Sequence, residues 1–157
     1  MRKILFKAKS VTDKKYDGTP IWYEGGYVPF LAYTPSAIPS EESVKEDEKN
    51  TKHYIFTPSF SDYNMPRELE AHEIDPKTLC QYTGIDLPVE GYKYPSRVWE
   101  GDIVEVREFG KWREGVVEWN KDVCAFIVND LVTGERLSIL SDIADIRKTG
   151  RNIFKEK

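Results

Sequence analysis

From Trp99 to the C-terminus the chain alternates in short, even runs. "DIVEVREF" reads as a strand, "GKW" as a turn and "REGVVEWN" as a second strand. "KD" makes the next turn, "VCAFIVND" a third strand, "TGE" another turn and "RLSIL" a fourth strand. Gly, Asn or Asp punctuates each junction, as short antiparallel strands require. Strands of this length, packed this densely, predict a small closed barrel of the SH3-like type. "SDIADIRKTGRNIF" closes the chain as a turn and strand or as a fraying helix.

The N-terminal part is also β-rich but less regular. "ILFKAKSV" alternates weakly and predicts a first strand, and Asp17-Gly18 with Thr19-Pro20 predicts a turn. Ile21–Glu24 and Tyr27–Tyr33 predict two strands, or one bent at Gly25-Gly26, because glycine within a strand marks a bulge or bend. Residues 34–52, "TPSAIPSEESVKEDEKNTK", offer almost nothing to bury and predict a mobile acidic loop. Strand character returns at Tyr54–Thr57. "ELEAHEID" reads as a strand or a short helix. "DPKTLCQYTG" predicts one helical turn with Asp75 as N-cap and Gly84 as stop. "IDLPVEGYKYPSR" predicts a loop. The expected fold class is mainly β with very little helix. It comprises a β-rich region over 1–95 and an SH3-like barrel region over 96–157, possible parts of one continuous unit.

Composition narrows the class without naming a function. Hydrophobic residues at 39% and charged residues at 32% describe a folded chain in contact with water. No apolar run approaches the ~20 residues that span a bilayer. The start "MRKILFKAKS" lacks the apolar core of a signal peptide. These features predict a cytoplasmic protein without a membrane partner. Cys80 and Cys124 lie far apart among apolar neighbours and are expected to be reduced, buried thiols.

Net charge is -4, against a general nucleic-acid binder, yet both ends are basic. Arg2, Lys3, Lys7, Lys9, Lys14 and Lys15 crowd the start, and Arg147, Lys148, Arg151, Lys155 and Lys157 the end. Solvated termini are the preferred account; a merged basic patch is the alternative.

Chemistry is sparse. His53, His72, Cys80 and Cys124 show no paired ligand spacing, so no metal is expected. No nucleophile elbow and no phosphate-cradling glycine loop is present. No catalytic residue and no cofactor is assigned. The candidate binding residues are Arg107, Lys111, Trp112 and Arg113, which surround one predicted turn. An exposed Trp between cations could stack on a base. The preferred reading packs Trp112 onto the barrel end, with the charges as a polar rim.

Four landmarks resemble the YopX family of phage and prophage proteins. They are "KILFKAKS" at the start, "IDPKTLCQYTGI" in the centre, "WEGDIVEV" at Trp99–Val106 and "GRNIF" at the end. The connection between the two central motifs is longer than usual in that family, the acidic segment is large, and Arg151 interrupts the closing motif. The resemblance implies a β-rich fold with a C-terminal SH3-like barrel, phage origin and residence in a bacterial host. It implies no catalytic residues. Within "WEGDIVEV", Gly101-Asp102 is read as a turn, Asp102 as a structural cap and Trp99 as packing against the barrel end.

The expectation is a non-enzymatic accessory protein binding a macromolecule, protein rather than nucleic acid, with a homo-oligomer possible. The alternatives are a nucleic-acid binder using the basic termini and the Arg107–Arg113 turn, and an unrecognised enzyme with a carboxylate-based site.

Overall fold

A computed structural model describes residues 4–35, 37–58, 68–88, 93–143 and 145–154. Arg2, Lys3, Lys155 and Lys157 of the basic ends, and part of the 85–97 connection, lie outside the described residues. The chain is mainly β, the strand registers among the described residues are antiparallel, and two compact units form, Leu5–Leu79 and Cys80 onward, the latter joined by Ile4.

In the N-terminal unit the strands run in the order β4-β3-β2-β1. They are β1 (Phe6–Lys14), β2 (Pro20–Phe30), β3 (Lys52–Pro58) and β4 (Leu69–Glu73). The predicted Asp17-Gly18 turn forms: Asp17 Oδ1 accepts from the backbone N–H of Thr19 (2.9 Å) and its hydroxyl (2.6 Å). Between the two alternatives, Gly25-Gly26 lies within one continuous strand. It is where β2 changes partner, Gly25 pairing with Phe6 and Gly26 with Phe56. "ELEAHEID" contains the strand β4. Beyond it an isolated bridge joins Ile74 to Ser10, and the Asp75 N–H donates to Lys9 O (2.9 Å), so the sheet's far edge returns to its first strand. The enclosed core is small: Ala8, Ile55 and Ile74, flanked by Phe6, Tyr23, Tyr27 and Leu79.

The acidic segment corrects the loop expectation, because Glu41–Asn50 is a helix, α1. Its stability comes from its ends and not from burial, since none of its residues is buried. Ser40 caps it, with the Ser43 N–H donating to Ser40 Oγ (3.1 Å) and the Ser40 N–H to Ser43 Oγ (2.9 Å). Glu41 and Glu42 sit in the first turn and Lys49 in the last, as the helix dipole favours. Tyr33 tethers it by donating to Asp47 Oδ1 (2.8 Å).

The C-terminal unit holds a five-stranded sheet, order β10-β9-β8-β7-β11, and a hairpin of β5 (Cys80–Leu87) and β6 (Ser96–Trp99). The sheet strands are β7 (Asp102–Glu108), β8 (Lys111–Asn120), β9 (Ala125–Asp130), β10 (Arg136–Ile139) and β11 (Ile146–Asn152). Val104, Val106, Val117, Phe126 and Val128 from the sheet bury against Leu87, Val98 and Leu140.

Several boundaries differ from expectation. The β7–β8 turn is Phe109-Gly110 and not "GKW"; both take positive φ (48° and 79°), as a two-residue hairpin turn of primed type requires. The helical turn capped by Asp75 is only Pro76–Thr78, and Gly84 lies inside β5 instead of stopping a helix. β5 also extends into the predicted loop as far as Leu87. At the end of the chain, a short 3-10 turn at Leu140–Asp142 precedes β11.

Cys80 is buried as expected, but Cys124 is exposed at a left-handed position (φ 51°) in the β8–β9 turn. Iodoacetamide is therefore expected to modify Cys124 in the native protein and Cys80 only after denaturation. Intact mass and peptide mapping would check this, and rapid native labelling of Cys80 would contradict it. No helix among the described residues is long and apolar enough to cross a membrane.

Candidate functional site

"WEGDIVEV" forms the frame of the C-terminal unit. Gly101 occupies a left-handed turn (φ 77°), its N–H donates to Val117 O (2.7 Å), and its carbonyl accepts from Ile153 (3.0 Å). A Cβ there would lie 3.2 Å from the Phe154 ring, so glycine is needed for space as well as φ. Trp99 is buried and tilts against Tyr82 at 5.5 Å.

Asp102 is only 2% exposed and makes a polar hub. The Trp99 N–H donates to Asp102 Oδ2 (3.1 Å), the Asn152 amide to Oδ1 (2.9 Å), and Lys148 Nζ lies 3.1 Å from Oδ2. Lys148 also donates to Ser96 Oγ (3.1 Å) and Arg97 O (2.5 Å). Asp102 and Asn152 face each other in the β7–β11 register, so two distant sequence motifs meet here. Each donor of the hub ends on a protein acceptor, which is the signature of a support.

The four candidate binding residues do not form one patch. Register pairs Arg107 with Trp112 and Glu108 with Lys111, and strand alternation sends these pairs to opposite faces. Arg113 shares the face of Lys111, where its guanidinium meets Glu108 (2.9 Å) and Asp130 (2.6 Å). Asp130 is held below the usual carboxylate range, chiefly by backbone N–H donation from Thr133 and Val132, with Arg113 adding to it. On the other face Arg107 lies 3.7 Å from Asp145, and Arg151 pairs with Glu114.

Trp112 corrects the packed expectation, since it is 38% exposed. Arg147 lies over its ring at 4.0 Å from the centroid. Sequence reasoning missed Arg147, which comes from β11 and meets Trp112 across β7. The only signal was its place in the basic C-terminal run.

With this geometry in place, comparison with known proteins adds no relative. No family model, no curated protein and no solved structure matches the chain.

The N-terminal unit carries a second polar constellation outside the predicted sites. His72 stacks flat on Tyr23, with ring centroids 3.6 Å apart and planes 9° apart. Its Nε2 is 3.0 Å from Thr57 Oγ1, and its Nδ1 is 3.5 Å from Asp13 Oδ2. Tyr23 donates its hydroxyl to Asp13 Oδ2 (3.0 Å). That bond lowers the Asp13 carboxyl below its ordinary range, while burial and the same carboxylate raise the Tyr23 phenol. Nearby, the Tyr27 hydroxyl meets His53 Nδ1 (2.7 Å). No group of three or more His, Cys, Asp or Glu among the described residues could hold a metal ion.

Proposed function

We propose that the chain is a YopX-like phage or prophage accessory protein that works in the host cytoplasm by binding another protein. The C-terminal unit supplies the recognition surface. The sheet order β10-β9-β8-β7-β11, with a 3-10 turn between β10 and β11, supports reading that unit as an SH3-like barrel.

One observation carries the choice of a protein partner over nucleic acid: the cations around Trp112 are neutralised from within. On the Trp112 face Arg107 and Arg151 each meet a carboxylate, and Glu105, paired with Glu114, lies beside Arg147 in the register. A phosphate backbone would have to displace those carboxylates, and counterion release would contribute little. An exposed Trp under a stacked Arg, held on paired strands, instead has the composition of a protein-binding hot spot.

The test is capture from bacterial host lysate by immobilised protein, with Trp112→Ala as comparison. Wild type is expected to retain a defined protein that survives nuclease treatment. Trp112→Ala should weaken that capture by at least about 2 kcal/mol, roughly thirtyfold, while its melting temperature changes little. Nuclease-sensitive capture, or a gel shift that fades steeply with salt, would replace this reading with nucleic-acid binding.

A further inference from the structure

We propose that Thr57 is an activated nucleophile, a covalent modification site that takes an acyl group from a reactive ester or thioester. The inference goes beyond the binding reading and concerns the N-terminal unit alone. Its support is the linear arrangement of three groups from three strands: Asp13 on β1, His72 on β4 and Thr57 on β3. Ile55 pairs with His72 and Thr57 with Glu70, so Thr57 and His72 are diagonal neighbours on one face.

The Asp13–His72 contact at 3.5 Å and the His72–Thr57 hydrogen bond set the direction of the relay. Asp13 is an ionised carboxylate, kept so by the Tyr23 hydroxyl, and a carboxylate only accepts. This nearer carboxylate, 3.5 Å from His72 Nδ1, favours the tautomer with the proton on Nδ1. In the neutral ring this leaves the Nε2 lone pair directed at Thr57 Oγ1, 3.0 Å away, and the Thr57 hydroxyl donates to it. A hydroxyl, an imidazole oriented by a third group and hydrogen-bond contact between the first two are the minimum of an activated nucleophile. The flat stack on Tyr23 restrains the imidazole against rotation. His72 keeps 12% of its side chain exposed, and Thr57 is only partly buried, so an acyl donor can reach the hydroxyl.

Thr57 Oγ1 attacks the acyl carbon, forming a C–O bond, as His72 Nε2 takes the hydroxyl proton. The bond from acyl carbon to leaving oxygen or sulfur breaks, and the leaving group departs with the electron pair and receives the proton from His72. The product is one acyl-threonine and one free alcohol, phenol or thiol. No oxidant or reductant is involved. Glu70 places a carboxylate oxygen 3.7 Å from Nε2, beyond the hydrogen bond to Thr57. Asp13 and Tyr23 are positioning residues.

The experiment uses the full chain with p-nitrophenyl acetate, read by intact mass and peptide mapping. The expected result is one acetyl group on the peptide containing Thr57. Thr57→Val keeps the shape without the hydroxyl and should abolish that adduct, whereas Thr57→Ser should retain it. His72→Gln should slow the adduct about a hundredfold or more. Asp13→Asn can present an amide N–H toward Nδ1 and favour the wrong tautomer. It should slow acetylation strongly while leaving the melting temperature near that of wild type, a split that a purely structural role would not give. Acetylation confined to lysines or Cys124, or equal Thr57 labelling in wild type and His72→Gln, would overturn the proposal. Melting curves of each variant separate loss of reactivity from loss of fold, and Thr57→Ser provides the folded positive control.

Discussion

Asp102→Ala is expected to destabilise the protein by about 3–5 kcal/mol, because it leaves a nearly buried lysine without its counter-charge. Lys148 Nζ would keep the Ser96 and Arg97 oxygens but lose the only carboxylate in its shell among the described residues. The Trp99 N–H and the Asn152 amide would also lose an acceptor at a position closed to water. Each abandoned donor has a cost of its own, about 1–3 kcal/mol, so the sum lies at the upper end of the range. For a chain of this size that corresponds to a fall in melting temperature on the order of 10 °C. Lys148→Met should be milder. It removes the charge, keeps much of the alkyl stem, and leaves Asp102 the Trp99 N–H and Asn152 amide donors. The double variant should be less destabilised than the two single effects added together, since the unpaired ammonium is then absent. Thermal melts of the four proteins make the measurement. Strict additivity would show that the hub is a set of independent bonds. Loss of partner binding by Asp102→Ala without loss of stability would move the motif from the frame to the interface.

The hub also explains what the sequence could disclose and what it could not. "WEGDIVEV" is legible because a left-handed glycine, an acceptor side chain and a β-branched run each act within a few residues. The alternation of β7, β8 and β9 is legible for the same reason, since one face of each strand meets a shared core. Lys148 and Asn152 were not legible as partners of Asp102, because only the β7–β11 register brings them together. The candidate residues Arg107, Lys111, Trp112 and Arg113 are divided between two faces by the same physics in reverse. Residues close in sequence around a hairpin alternate between faces, so nearness in sequence divided them in space. The segment at 34–52 misled because low hydrophobicity was equated with absence of structure. The Ser40–Ser43 capping pair was the overlooked local signal, and it supports a helix that buries nothing. Thr57 and His72 are 15 positions apart, on strands whose pairing no local pattern announced. Sequence could only supply the residue types there, not their alignment with Asp13.

Gly25→Ala and Gly26→Ala are expected to give opposite results although the residues are adjacent. A Cβ on Gly25 would enter the van der Waals shell of the Phe56 carbonyl oxygen and lie 3.2 Å from Ile55 Cγ2. Neither neighbour yields cheaply. The carbonyl belongs to the backbone of β3, held between β2 and β4, and Ile55 is one of three fully enclosed core residues of this unit. Relief requires β2 and β3 to move apart at the point where β2 changes partner. Overpacking of this kind costs 1–3 kcal/mol in general, and a backbone clash puts Gly25→Ala at about 3 kcal/mol. With so small a core, that is enough to loosen the whole N-terminal unit. Gly26 has no atom within 4 Å of its added Cβ and no left-handed φ to protect. Gly26→Ala should therefore be neutral or stabilising by about 0.4–1 kcal/mol, through the reduced freedom of the unfolded chain. Urea midpoints of the two variants, at unchanged slope, decide between this account and a general intolerance of β2 to substitution. Equal destabilisation by both would mean that flexibility of the Gly-Gly step, and not the approach of the Phe56 carbonyl, is what the fold requires.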